Sequence, residues 1–240
     1  MMSLLDALAD APDAASLKQL AAETELHPST AHRILAAMCN ARFVERQDAG
    51  TYRLGIRLLE LGAIVKSRIS LREVALPHMQ QLHEMIGEAI NLGARSDDEI
   101  VYLERTSSGR SLVRVVYLVG GRAPLHLTSL GKLFLAADGP QKIREYAKRT
   151  GLPGKTPHSL TSLVTLEKEL DKVRRHDIAY DDEEAELGLK CVAAPIRDDE
   201  GNIIAALSVS APADRHDPDW ARQVKNAADA VSQALGYSRP

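Results

Sequence analysis

The chain is poor in cysteine and lacks a long apolar run, and both shortages narrow what it can be. Two cysteines in 240 residues, Cys39 and Cys191, cannot build a disulfide framework. Neither lies in a CxxC pair or beside histidines at zinc-like spacing, so neither a structural metal nor a bound cofactor is expected. No stretch approaches the roughly 18 to 20 consecutive apolar residues that cross a bilayer, and the first residues, Met1-Met2-Ser3-Leu4-Leu5-Asp6, carry neither a basic region nor a signal-like apolar core. A cytoplasmic protein with no membrane partner is expected. Internal repeats and low-complexity tracts are also missing, and no strained nucleophile turn or oxyanion loop marks an enzyme.

What is present is an ordinary globular composition, 45% hydrophobic and 26% charged, long enough for a small domain joined to a larger one. The net charge of -3 is unevenly spread. Residues 1 to 68 balance eight basic against eight acidic residues, so the net negative charge lies beyond them, while residues 27 to 68 hold seven basic and three acidic residues. A basic segment on an acidic body suits a DNA-contacting module.

The same segment carries helix signals. Leu4, Leu5 and Leu8 fall at helical spacing before Pro12, and Ser16 precedes a short amphipathic run as its expected N-cap. His27-Pro28 ends that run, because a residue before proline leaves the α region, and Pro28 opens the next helix. Two short helices joined by a tight turn form a helix-turn-helix. In the second helix, Ala31, Ile34, Leu35 and Met38 share one side, and Ser29, His32, Arg33, Ala36 and Asn40 share the other. That outer side has little bulk, hydroxyls for phosphates and an arginine fork for guanine, as major-groove reading needs. A hairpin follows, Phe43–Arg46 and Thr51–Leu54 around a turn ending in Gly50, which makes a winged helix. The expected DNA contacts are Ser29, Thr30, His32 and Arg33 from the helix, with Arg46 and Arg53 on phosphates or the minor groove.

Leu54, Leu58, Leu61 and Val65 then form an apolar seam suited to a linker helix that pairs with another subunit. Beyond it the pattern is α+β. Helices are expected at 71–86, 129–138, 140–150, 163–176 and 220–235, and strands at 89–95, 99–105, 111–118, 190–197 and 203–211, with Gly120–Pro124 as a loop. An antiparallel sheet with helices packed on it is implied. Ser208 and Ser210 share a strand face with Ala206, a small polar face of the kind a cavity needs. Thr128 or Ser129 can cap a helix whose free N–H groups attract a carboxylate.

With these segments in place the chain resembles the IclR family of bacterial transcription regulators. The likeness rests on Leu17-Lys18-Gln19-Leu20-Ala21 and His27–Leu35 in the helix-turn-helix, Tyr52-Arg53-Leu54-Gly55 after the wing, Arg122–His126 with Gly131-Lys132, Tyr180–Glu184, and Gly188–Ile196. It implies a winged helix-turn-helix (1–54), a linker and dimerisation helix (55–69), and a GAF-like effector-binding domain (70–240). It further implies a homodimer or homotetramer on palindromic operator DNA, more in keeping with a repressor than an activator. The effector implied is a small organic acid, a catabolic intermediate. Carried over by position, the implied effector contacts are Asp181, Leu189, Cys191, Ser208 and Ser210, with apolar positions at Leu112, Val115 and Ala123 and the helix start at Ser129 and Leu130. Two other chemistries stay open from the residues alone: a redox sensor using the Cys191 thiol, and a hydrolase built from His126, Asp181 and Cys191.

Overall fold

The computed structural model describes residues 2–47, 50–66, 70–106 and 118–238. The chain divides into two compact units, 1–69 and 70–240. In the first, helix α1 (Met2–Asp10) leads to a two-residue strand β1 (Ala15–Ser16), helix α2 (Leu17–Glu23), helix α3 (Pro28–Asn40), strands β2 (Val44–Arg46) and β3 (Thr51–Leu54), and helix α4 (Ile56–Lys66). Ser16 caps α2 in a full capping box, its Oγ accepting from the Gln19 amide while Gln19 Oε1 accepts from the Ser16 amide, an arrangement worth about 1 kcal/mol. Leu4, Leu8, Leu20, Leu35, Met38, Val44 and Tyr52 bury together as this unit's core. Strand β1 escapes sequence patterning because two residues carry no period. It joins the hairpin in the order β1-β3-β2, with Ala15 opposite Tyr52.

Of the expected seam, Leu58 and Leu61 on α4 are half-buried and Leu54 is exposed, and Ile56, Leu59 and Ile64 also reach solvent, Leu59 at 68% exposure. The side chain of Val65 lies outside the described residues.

The second unit opens with helix α5 (Leu71–Ile86), capped by Ser70 and closed by Gly87 in the left-handed conformation. Strands β4 (Ala89–Ser96), β5 (Glu99–Thr106) and β6 (Arg122–Pro124), helices α6 (Ser129–Ala137), α7 (Pro140–Thr150) and α8 (Leu163–His176), strands β7 (Ala179–Asp182), β8 (Leu189–Arg197) and β9 (Ile203–Pro212), and helix α9 (Trp220–Ala234) follow. All neighbouring strands pair antiparallel in one six-stranded sheet of order β6-β5-β4-β9-β8-β7. Two expectations change here. Residues 122–124 are a strand rather than loop, paired with β5 through Ile100 opposite Ala123, and 179–182 is an additional edge strand. Both are too short to show alternation. The strand expected at 111–118 falls at 111–117 outside the described residues.

Alternation assigns the two faces of this sheet. Ile90, Leu92, Val192, Ala194, Leu207 and Val209 meet α5 and α9 in one apolar layer, with Trp220, Val224, Ala228 and Val231 as the α9 stripe. The opposite face packs Ile100, Tyr102, Ala123, Leu189, Cys191, Ala193 and Ala206 with α6, α7 and α8. Gly93 on β4 lets α6 come close: a Cβ there would lie 2.8 Å from Ile100 Cγ2 and 2.9 Å from Leu130 Cδ1.

Candidate functional site

The first unit exposes the outer side of α3. Ser29, His32, Arg33, Ala36 and Asn40 face solvent, Thr30 is half-buried, and Ala31, Leu35 and Met38 are buried. His27 caps the helix: its Nδ1 accepts from the Ser29 amide and lies 2.8 Å from Ser29 Oγ. The Ser29 hydroxyl is thus already held by the ring, which fixes its direction and competes with any phosphate. Arg33 and Arg46 are exposed, with no acidic partner among the described residues. Arg53 differs, since its Nε and Nη2 lie 3.0 and 2.8 Å from Glu45 Oε2 directly across the hairpin. That pair holds the Glu45 carboxyl below its usual range, and a phosphate would have to displace it.

The second unit hides a polar cluster on the α6 side of its sheet. Register aligns Asp181, Cys191, Ser210 and Ala89 across β7, β8, β9 and β4, and in the next row Ala193, Ser208, Asn91 and Arg105. Ser208 and Ser210 are each 2% exposed and Asn91 1%, so this is an enclosed face and not a solvated one. Asn91 Nδ2 donates to Ser208 Oγ at 3.3 Å and Ser210 Oγ at 3.0 Å, and Ser210 Oγ is 3.1 Å from Cys191 Sγ. Asn91 Oδ1 is buried without a partner among the described residues, a state native structures avoid unless something else fills the need.

Asp181 closes one end of the cluster. Its Oδ1 accepts from the Glu184 and Ala185 amides at 2.8 and 3.3 Å, yet burial pushes its carboxyl up to about 7 against the pull of Lys132. Lys132, wholly buried on α6, donates to the Tyr180 carbonyl at 2.7 Å and to Glu184 Oε1. Burial likewise raises the Glu184 carboxyl. Burial raises the Tyr102 hydroxyl well above its ordinary value, so it keeps its proton.

Helix α6 starts over the same face. Thr128, rather than Ser129, is its cap, accepting from the Gly131 amide at 3.0 Å. The first-turn amides of Ser129 and Leu130 have no acceptor within the helix, and both residues are buried. Ala123 and Leu189 border the cluster as apolar walls. Of the expected contacts, Ala123, Ser129, Leu130, Asp181, Leu189, Cys191, Ser208 and Ser210 fall on this side of the sheet, and Leu112 and Val115 lie outside the described residues. Asn91, Tyr102, Lys132 and Glu184 are additions. All four depend on cross-strand register or on the α6 packing, which no local pattern in the sequence shows.

The alternative chemistries fare poorly. Burial drives the Cys191 thiol far above its ordinary value, with Asp181 adding to the shift. Lys190 turns the other way to pair with Asp182 at 2.7 Å. Thiolate chemistry is therefore suppressed. Both ring nitrogens of His126 are engaged, Nε2 with the Pro153 carbonyl at 3.2 Å and Nδ1 with the Tyr146 hydroxyl at 2.7 Å. A carbonyl only accepts, so Nε2 carries the hydrogen. Burial lowers the affinity of this ring for a second proton, and it serves packing rather than Cys191. Among the described residues no cluster of histidine, cysteine or carboxylates could hold a metal ion, and no helix is long and apolar enough to cross a membrane.

Comparison with known proteins agrees with both halves. Residues 1–48 match the IclR helix-turn-helix domain, and 63–235 match the C-terminal domain of the bacterial transcriptional regulator IclR. The chain is 30% identical to the HTH-type transcriptional repressor AllR of Escherichia coli (strain K12), over 98% of this chain and 88% of that one. It is similar in structure to the Agobacterium tumefaciens repressor BlcR (TM-score 0.87, 26% identity, 99% of this chain and 96% of that chain). It is also similar to an IclR homolog from Microbacterium hydrocarbonoxydans complexed with 4-hydroxybenzoate (TM-score 0.65, 30% identity, 98% and 96% coverage). A helix with an exposed polar side on a small winged unit, a sheet with a buried polar face, and matches over nearly the whole length lead to one conclusion: the chain belongs to the IclR family of bacterial transcriptional regulators.

Proposed function

We propose that this regulator is an operator-binding repressor whose grip on DNA is controlled by a small organic acid held on the polar face of the six-stranded sheet. The observation that carries the reading is the convergence of Asn91, Asp181, Cys191, Ser208 and Ser210 from four strands onto one enclosed face beneath the start of α6. A carboxylate would accept from the Ser129 and Leu130 amides, where the helix dipole favours negative charge. An ionised Asp181 would repel that carboxylate, so Asp181 meets the other end of the ligand.

On the DNA side, Ser29, Thr30, His32 and Arg33 present to the major groove and Arg46 to phosphate, with Arg53 available once Glu45 releases it. Ile56, Leu59 and Ile64 give α4 an apolar outer face, which supports pairing between two copies on a two-fold operator. The relatives named as repressors and the 4-hydroxybenzoate complex of the Microbacterium homolog support the sign of regulation and the ligand class.

Selection of bound sequences from a random duplex pool, followed by titration with a panel of carboxylic acids, tests this. A palindromic site that is released by one chemical class of acid is expected, the same class raising the unfolding temperature. A ligand at 100 times its Kd adds about 2.7 kcal/mol of stability. Operator binding that no acid alters would leave DNA recognition standing and remove the effector.

A further inference from the structure

We propose that Asn91 is a specificity-determining residue of this face, selecting acids that carry a hydroxyl over keto or unsubstituted counterparts by accepting the ligand hydroxyl on its Oδ1. The inference rests on the organic-acid reading above. Asn91 sits mid-strand on β4, opposite Ser208, and is 1% exposed. Both hydrogens of its Nδ2 are directed at serine oxygens, Ser208 at 3.3 Å and Ser210 at 3.0 Å. With the amide turned this way, Oδ1 is left as the atom with no partner among the described residues.

A buried amide oxygen can only accept. Its unmet need costs about 1 to 3 kcal/mol, and only a donor relieves it. A ligand hydroxyl donates there. A keto oxygen brings a second acceptor against the first, and a plain C–H leaves the oxygen unpaired. Sites built to bond a substrate hydroxyl reject the analogue lacking it far more strongly than apolar pockets reject a missing methylene. Asp181 lies apart from it, at the far end of the Cys191 and Ser210 row, where its Oδ1 accepts the Glu184 and Ala185 amides.

Isothermal titration of the full chain against matched pairs reads this directly: lactate with pyruvate, 3-hydroxybutyrate with acetoacetate, and 4-hydroxybenzoate with benzoate. Where a pair binds, the hydroxy member should bind at least about tenfold tighter, and the ratio should fall to within about twofold in Asn91→Ala. Asn91→Thr provides a second variant that keeps a small polar group, and circular dichroism verifies that each is folded. The ratio within one protein is insensitive to a general loss of affinity. Equal binding of the two members, preference for the keto acid as a reversed amide would give, or a ratio unchanged in both variants would overturn the assignment of Asn91 while leaving the acid-binding site. Failure of every pair to bind, with operator binding retained, would overturn the acid reading itself and this inference with it.

Discussion

The outer side of α3 and the inner face of the six-stranded sheet are both polar, but they are polar in opposite ways. On the outer side of α3 the side chains are exposed and Arg33 has no acidic partner among the described residues; on the sheet Asn91, Ser208 and Ser210 are enclosed and bonded to one another, and Asp181 is enclosed and holds the Glu184 and Ala185 amides. A surface that reads DNA gains its specificity from groups waiting in water, and its loss costs binding alone. A buried site is part of the core, so each of its polar groups carries folding energy as well as recognition.

The sharpest way to break this comparison is to remove one cation from each region. Lys132→Met leaves Glu184 without its buried partner and should destabilise the protein by about 3 to 5 kcal/mol in denaturant unfolding. Adding Glu184→Leu should recover most of that loss, since the remaining buried charge is then gone. If Lys132→Met alone proves neutral, the pair is not part of the core's polar accounting and the contrast fails.

Acidity offers the next largest effect. Burial holds the Asp181 carboxyl near 7 against an ordinary 3.8, so between those values the folded state keeps a proton that the unfolded chain has released. Its contribution is present at low pH and is lost as pH rises through about 7. Relative to Asp181→Asn, the parent should lose up to about 3 kcal/mol between pH 5 and pH 8, measured as the difference between the two stability profiles. Parallel profiles would place Asp181 in a wetter setting than the one described.

Arg33→Ala should cost about 1 to 3 kcal/mol in operator binding and relax base preference at one position, while the unfolding free energy stays within about 0.5 kcal/mol of the parent. The smallest effect separates the two wing arginines. Arg46→Ala should reduce the slope of log affinity against log salt by about 1, and Arg53→Ala by less, because Arg53 is held by Glu45. Equal slopes for both variants would mean that DNA displaces the Glu45 pair at no cost.

The same contrast explains what could be read from sequence. The exposed side of α3 was legible because it lies within one helix, where a 100° step from Ala31 and Leu35 locates Arg33 without any tertiary knowledge. The long elements α5, α8 and β9 were legible for the same reason of period and caps. Short pieces were not: β1, β6 and β7 are too brief for alternation and exist only through their partners. At the buried face, Ser208 and Ser210 stood out as a polar pair in an apolar strand. Asn91 gained meaning only when register set it opposite Ser208, more than a hundred residues away. Lys132 and Glu184 were visible as part of a family motif, but their ion pair depends on how α6 meets the turn after β7.

The central claim is that ligand on the buried face governs DNA binding by the exposed one. Operator affinity measured against rising concentrations of the acid that stabilises the parent tests it most directly, in the parent and in the Ser208→Ala/Ser210→Ala double variant. The account predicts that the parent's affinity changes to a saturating extent fixed by the coupling between the two ligands, while the double variant binds operator as tightly as the unliganded parent at every acid concentration. A double variant that responds with the parent's midpoint and amplitude would contradict it.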